Sequence, residues 1–186
     1  MSRTWLFGYG SLVSPVSLAS TIGRDPGDGM HVAHVAGFGR RWNYGSKVLR
    51  GDWVHDGHNI VGGLVVSLGI AAAEDEACNG VVFDVDDDEL AALDWRERDY
   101  ERVDITDVTT VDVDRFDGQV QVYVPRPSSI ERYELARNEG RAAIRQSYWT
   151  LVEDAFASLG GHHAEWYART PAPDIPVADI KLHPLN

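Results

Sequence analysis

The sequence predicts a mixed α+β fold built around a curved sheet or small barrel with flanking helices. Two observations carry that prediction. Strand-like segments, about six of them, and three or four helical ones are unequally distributed, and the regular strand–helix alternation of a doubly wound sheet is absent. No internal repeat or linker-like tract divides the order, and 186 residues suit one core of ordinary size. A single domain over 1–186 is therefore expected.

Thr4–Tyr9 reads as a buried first strand running into a glycine turn. A short helix follows over Pro15–Thr21, with Ser14 as its cap and Pro15 at its first position. Gly23–Gly29 is a loop by composition. His31–Phe38 has the β-branched, half-alternating character of a strand that carries on through Arg41 and Trp42. Ser46–Asn59, polar and rich in Gly, Asp and His, is expected to form a mobile loop. Ile60–Gly69 and Cys78–Val85 read as two strands with an acidic connection. Asp86–Arg98 switches to helical spacing, with Leu90, Leu93 and Asp94 at three- and four-residue intervals and an Asp cap before Glu89. Strand character returns over Arg102–Val113 and Gln119–Val124, joined by the turn Phe116-Asp117-Gly118 and ended by Pro125 and Pro127. The remainder is helical around Ile130–Asn138, then over an amphipathic stretch from Arg141 to Leu159 stopped by Gly160-Gly161, then over His162–Arg169. Thr170–Pro176, with three prolines, reads as an extended strap.

Composition narrows the function. The 6 Trp, 7 Tyr and 5 Phe are too much buriable aromatic surface for a disordered chain. A formal net charge of -12 repels phosphate backbones, so no nucleic-acid partner is expected. The opening MSRTWLFGYGSL is broken by glycines before it reaches the length of a secretory core, and no 18-residue apolar run occurs elsewhere. A cytoplasmic protein with no membrane association is expected, and a monomer, since the core is self-sufficient. Cys78 is the only cysteine. It sits in strand-like apolar company and reads as a small core residue rather than a nucleophile. The histidines show no zinc-ligand spacing, so no metal is expected.

Two segments carry candidate chemistry. In Phe7-Gly8-Tyr9-Gly10-Ser11-Leu12 the glycines allow close backbone approach, and successive N–H groups can converge on an anion with Ser11 adding a hydroxyl. The same segment also serves as a mere tight strand exit. It is neither a dinucleotide fingerprint, which needs a third glycine, nor a Walker loop. The second segment, Leu93-Asp94-Trp95-Arg96-Glu97-Arg98-Asp99-Tyr100, packs three acids and two arginines into a helix end and its exit. An acid held near Trp95 and Tyr100 would have a raised pKa suited to proton transfer near neutrality, whereas Arg96 and Arg98 would lower it if they faced it. The alternative is a surface ion-pair ladder. Arg40 and Arg41 either contact a substrate carboxylate as a forked donor pair or make surface salt bridges. Trp42, Trp53, Trp149 and Trp166 read as core or pocket wall.

Together these segments resemble the γ-glutamyl cyclotransferase superfamily, and more closely its ChaC-like, glutathione-degrading branch. Phe7 through Leu12 matches the family's Phe-Gly-Tyr-Gly-Ser-Leu turn residue for residue, and Arg96, Glu97 and Tyr100 match its Arg-Glu pair before a tyrosine. Gly37–Asn43, Gly80–Phe83, Ser147–Phe156 and Glu165–Tyr167 resemble further family stretches in the expected order. Arg98-Asp99 stands where many glutathione-specific members have two glycines, which bears on the leaving group more than on the chemistry. The resemblance implies a γ-glutamyl cyclotransferase-like fold and an enzyme that needs no metal or organic cofactor. It implies cyclisation of a small-molecule γ-glutamyl substrate to 5-oxoproline by attack of the substrate's own α-amine. Glu97 would be the acid–base residue. Phe7, Gly8, Tyr9, Gly10, Ser11, Leu12, Arg40, Arg41 and Tyr100 would bind substrate. Glutathione and related peptides are the first substrates implied. The alternatives are γ-glutamyl amino acids or γ-glutamylamines as substrates, or a binding protein of the same fold without turnover.

Overall fold

A computed structural model describes residues 4–184. Nine strands and five α-helices alternate irregularly among them. The strands form one mixed sheet that curls into a half-barrel, bearing out the α+β expectation.

Strand β1 (Thr4–Gly8) lies in the middle of the sheet, antiparallel to one neighbour and parallel to the other, and all but its first residue is buried. Consecutive residues point to opposite faces of the sheet, so burial of both faces is why Trp5-Leu6-Phe7 reads as a continuous apolar run rather than an alternation. After the glycine turn and a short 3₁₀ turn (Ser11–Val13), helix α1 (Pro15–Ile22) begins as the sequence predicts. Ser14 Oγ accepts from the Ser17 amide, and Gly23, at φ 76°, closes the helix in the left-handed conformation.

The largest departure from the sequence reading is a single long hairpin, β2 (Met30–His55) with β3 (His58–Val85). The expected mobile loop over Ser46–Asn59 is instead its distal half. Asp56 (φ 49°) and Gly57 (φ 77°) make a two-residue turn whose twist matches that of the strands, and Trp53 is buried against Val65, Ala143 and Ile180. The two strands expected over Ile60–Gly69 and Cys78–Val85 are parts of β3. Their acidic connection, residues 73–76, bulges from it opposite the single residue Gly37, at φ 75°. Further register shifts fall between Arg41 and Tyr44, Gly45 and Arg50, and Gly51 and Trp53. Bulges bend strands. They let one end of the hairpin pair with β1 while the other pairs with strands from the C-terminal part of the chain.

Helix α2 (Asp87–Arg96) opens on a capping box. The Glu89 amide donates to Asp86 Oδ1 at 2.9 Å and the Asp86 amide to Glu89 Oε2 at 3.1 Å. The strand expected over Arg102–Val113 is split by a 3₁₀ turn. Strand β4 (Tyr100–Asp104) pairs with β6 (Gln119–Pro125), while β5 (Thr109–Val111) crosses to the opposite edge and pairs with β2.

Helix α3 (Pro127–Asn138) follows. The helix expected from Arg141 starts later, because Ala142, Ala143 and Ile144 are fully enclosed as strand β7 (Ala142–Arg145) between β3 and β8 (Val177–Ala178). Helix α4 (Gln146–Ser158) continues without a break, then α5 (Gly161–Tyr167), an irregular 170–176 segment with bends rather than a strand, and β9 (Lys181–Leu182) on the edge of β2. Among the described residues, no helix is long and apolar enough to cross a membrane.

Candidate active site

Five chain segments far apart in sequence meet at one cleft. Its walls are Phe7 through Leu12, Leu68 of β3, Glu97, Tyr100, Tyr123 of β6 and Tyr148 of α4. Both glycines of the turn are closely packed. A Cβ on Gly8 would lie 3.0 Å from the Leu12 Cβ, and one on Gly10 would lie 3.1 Å from the Tyr148 hydroxyl. Gly80 on β3 is more constrained, since its Cβ would fall 2.1 Å from the Gly8 carbonyl oxygen. The 3₁₀ turn that begins at Ser11 leaves its opening amides without intrahelical acceptors, on the wall of the cleft.

Glu97 arrives through the end of α2. Leu93, fully buried, anchors the last turn, and the Glu97 amide donates to the Leu93 carbonyl at 2.8 Å. Glu97 is the C-cap, at φ -96° and ψ 25°, and the Tyr100 amide donates back to its carbonyl at 2.8 Å. Departure from helical geometry lets neighbouring side chains converge. Arg96 Nε lies 3.0 Å from Glu97 Oε1. The same guanidinium donates to Thr21 Oγ1 at 2.7 Å and Ser11 Oγ at 2.9 Å. Arg96 thus ties α1, the glycine turn and the carboxylate together. Sequence adjacency could not establish this contact, because on an unbroken helix the two side chains diverge.

Only 15% of the Glu97 side chain is exposed. Burial pushes its carboxyl above the ordinary glutamate range, and the Arg96 charge pulls in the opposite direction. Around it stand Tyr9, Tyr44, Tyr100, Tyr123 and Tyr148, five phenols within electrostatic reach of this carboxylate. Burial raises all of them; Tyr148 is pushed up to about 12. They remain neutral near pH 7 and can donate hydrogen bonds. Tyr9 donates to the Tyr123 carbonyl at 2.8 Å and Tyr100 to the Leu68 carbonyl at 3.3 Å, while Tyr44 stacks on Tyr100 with centroids 4.2 Å apart.

The neighbouring acids are committed elsewhere. Asp94 pairs with Arg102 at 2.9 Å and accepts from the Tyr123 hydroxyl at 2.9 Å. Asp99 is ion-paired with Arg132.

The cleft brings together Phe7, Gly8, Tyr9, Gly10, Ser11, Leu12, Glu97 and Tyr100 as expected from the sequence, but neither Arg40 nor Arg41. Arg40 is buried on the far side of the turn. It donates to the Tyr9 carbonyl at 2.9 Å, to the Thr170 hydroxyl at 2.8 Å and to Asn79, beneath the rings of Phe156 and Tyr167. Arg41 is paired with Glu76. Their role as a forked carboxylate clamp is therefore corrected: adjacent residues of a strand face opposite ways, and both guanidinium groups are occupied. Cys78 is buried, its thiol raised by desolvation, in keeping with a core residue. Sequence reasoning missed Leu68, Tyr44, Tyr123 and Tyr148. Their local spacing is that of ordinary core residues, and the one available signal was an abundance of tyrosine.

This fold is that of the γ-glutamyl cyclotransferases. A solved structure of that name aligns with 92% of this chain and 90% of its own at TM-score 0.56 and 14% identity. A γ-glutamyl cyclotransferase specific to glutathione from yeast aligns over 91% and 96%, with TM-score 0.58 and 14% identity. YkqA from Bacillus subtilis aligns over 95% of this chain and 56% of its own, at TM-score 0.63 and 13% identity. The sequence model of the ChaC-like protein family matches residues 4–144, and the chain belongs to that family. No curated protein matches the sequence.

Proposed function

We propose that this protein is a γ-glutamyl cyclotransferase that releases 5-oxoproline from glutathione or related γ-glutamyl peptides, with Glu97 as general base and then general acid. The observation that carries this reading is one desolvated carboxyl, fixed by Arg96, on the wall of the cleft that the glycine turn lines. The family and the fold add support from outside the site.

The substrate's α-ammonium must lose a proton before its nitrogen can attack. Glu97 accepts it, aided by its raised proton affinity, while the Arg96 charge pulls the other way and favours the ionised form that a base needs. The α-nitrogen bonds to the γ-carbonyl carbon, closing a five-membered ring. As the carbon–nitrogen bond to the leaving amine breaks, that nitrogen takes the proton from Glu97, and the ring nitrogen's second proton passes through the freed Glu97 carboxylate to the released amine. Lactam and free ammonium together carry the protons of the substrate, and Glu97 returns to carboxylate. The amides and Ser11 hydroxyl of the turn hold the glutamyl end, so that amine and carbonyl meet by proximity.

The test is a panel of glutathione, γ-glutamyl amino acids and γ-glutamylamines, with chromatographic detection of 5-oxoproline and the released amine. Glutathione is expected to yield 5-oxoproline and Cys-Gly. An inert panel overturns the reading. Glu97→Gln keeps the shape but cannot accept the proton, and kcat should fall by about 10²–10⁴-fold. Asp94→Asn and Asp99→Asn, whose carboxylates are bound to Arg102 and Arg132, are matched controls.

A further inference from the structure

The candidate active site opens into a wider cleft whose lining is unlike the rest of the molecule. In a chain of net charge -12 with only two lysines, this cleft gathers Lys47, Arg96, Arg98 and Arg145 against Glu97 and Asp99. Both acids are already paired, Glu97 with Arg96 and Asp99 with Arg132. Arg98 folds back onto its own helix, over the Trp95 ring at 5.0 Å and donating to the Trp95 carbonyl at 3.1 Å. Lys47 and Arg145 remain. Neither side chain makes an ion pair or hydrogen bond among the described residues.

The placement of Lys47 is built. Between the pairs Gly45–Val66 and Arg50–Leu64, residues 46–49 stand opposite the single residue Val65, so the hairpin extrudes a four-residue bulge. Ser46, itself buried, accepts through Oγ from the Leu49 amide at 2.9 Å and the Val48 amide at 3.3 Å. Arg50 donates to the Ser46 and Leu49 carbonyls at 2.8 Å each, and Arg132 donates to the Gly45 carbonyl at 3.1 Å. The bulge is thus braced from both sides. Arg145 comes from the last residue of β7, fixed by the parallel ladder with β8.

Resting on the cyclotransferase reading, we propose that Lys47 and Arg145 form a carboxylate subsite for the leaving part of the substrate. The protein would then favour γ-glutamyl amino acids and peptides, whose leaving group ends in a carboxylate, over γ-glutamylamines. Two cations without protein partners on one concave wall, Lys47 exposed and Arg145 half-buried, attract an anionic terminus and repel a cationic one.

Matched probes isolate the charge: γ-glutamyl-alanine and γ-glutamyl-alanyl-glycine, each compared with its C-terminal amide. Steady-state turnover and calorimetric binding are measured for both pairs. For at least one pair the acid should exceed the amide about tenfold in kcat/KM and in affinity, chiefly through KM. Lys47→Ala combined with Arg145→Ala should reduce that ratio to about one, while Lys181→Ala, the other lysine of the chain, should leave it unchanged. Turnover without discrimination, or a ratio that survives the double substitution, overturns the subsite and leaves the cyclotransferase standing. Discrimination in binding with no 5-oxoproline from the probes or from glutathione supports the subsite and overturns the catalytic reading. If no probe binds or reacts while glutathione is turned over, the subsite alone falls; if glutathione is inert as well, both fall.

Discussion

At the scale of single residues, the chemistry turns on how Glu97 titrates. Burial raises its proton affinity above the reference 4.5, and Arg96 opposes that shift. The facing groups besides Arg96 are phenols that stay neutral well past pH 7, so no other charge in the inner cleft reverses the direction. The acidic limb of kcat/KM should therefore lie above the ordinary glutamate range. Stability follows the same linkage. A raised folded-state pKa gives a contribution that is present below the unfolded value and lost as pH rises through the folded one. Wild type should lose stability relative to Glu97→Gln over that interval, measured by denaturant melts at successive pH values. A wild-type advantage that grows with pH would mean that the Arg96 contact, not burial, controls the carboxyl. The sequence already singled out this acid and the Phe7–Leu12 turn. That choice came from the resemblance; the spacing alone left Asp94, Glu97 and Asp99 equivalent, because the partners that occupy Asp94 and Asp99, Arg102 and Arg132, come from other elements.

At the scale of elements, the site depends on how closely β1 and β3 approach. A methyl group on Gly80 would fall 2.1 Å from the Gly8 carbonyl oxygen and 2.9 Å from the Phe7 ring. Backbone, not a flexible side-chain end, stands in its way. Gly80→Ala should cost about 1–3 kcal/mol as overpacking, read from the denaturant midpoint. KM should rise as well, since Gly8 opens the turn that lines the cleft. An unchanged midpoint would contradict the Gly8–Val81 register. Elements with strong local signals were legible in the sequence: β1, the Ser14-capped α1, the Asp86-capped α2 and the β6 strand. The long hairpin was not. Its polar distal half suggests a loop, although Asp56-Gly57 between Val54 and Ile60 is a hairpin signal in its own right. Strand β7 was hidden for another reason. Ala142-Ala143-Ile144 fits a helix locally, and only its enclosure between β3 and β8 selects the extended form.

At the scale of the whole molecule, the segment after residue 144 closes the structure that the family match delineates. Tyr148 supplies one wall of the cleft, and Phe156, Tyr167 and Thr170 surround the buried guanidinium of Arg40. Arg40 in turn holds the Tyr9 carbonyl and Asn79, so a single side chain on β2 joins the glycine turn, β3, two helices and the segment that follows them at Thr170. A lysine keeps the charge but offers no planar fork to serve these acceptors together. Arg40→Lys should lose about 1.5–3 kcal/mol, since hydrogen bonds from a charged donor are broken in a buried place. For a chain of this size that corresponds to a Tm lowered by about 3–12 °C. KM for a γ-glutamyl substrate should rise only modestly, because the guanidinium acts on the cleft through the Tyr9 carbonyl and is not itself a wall. The opposite pattern, an unchanged Tm with KM raised about tenfold or more, is what loss of a substrate-carboxylate contact would produce. Thermal unfolding and steady-state kinetics on this one variant therefore decide whether Arg40 binds substrate or braces the turn that does.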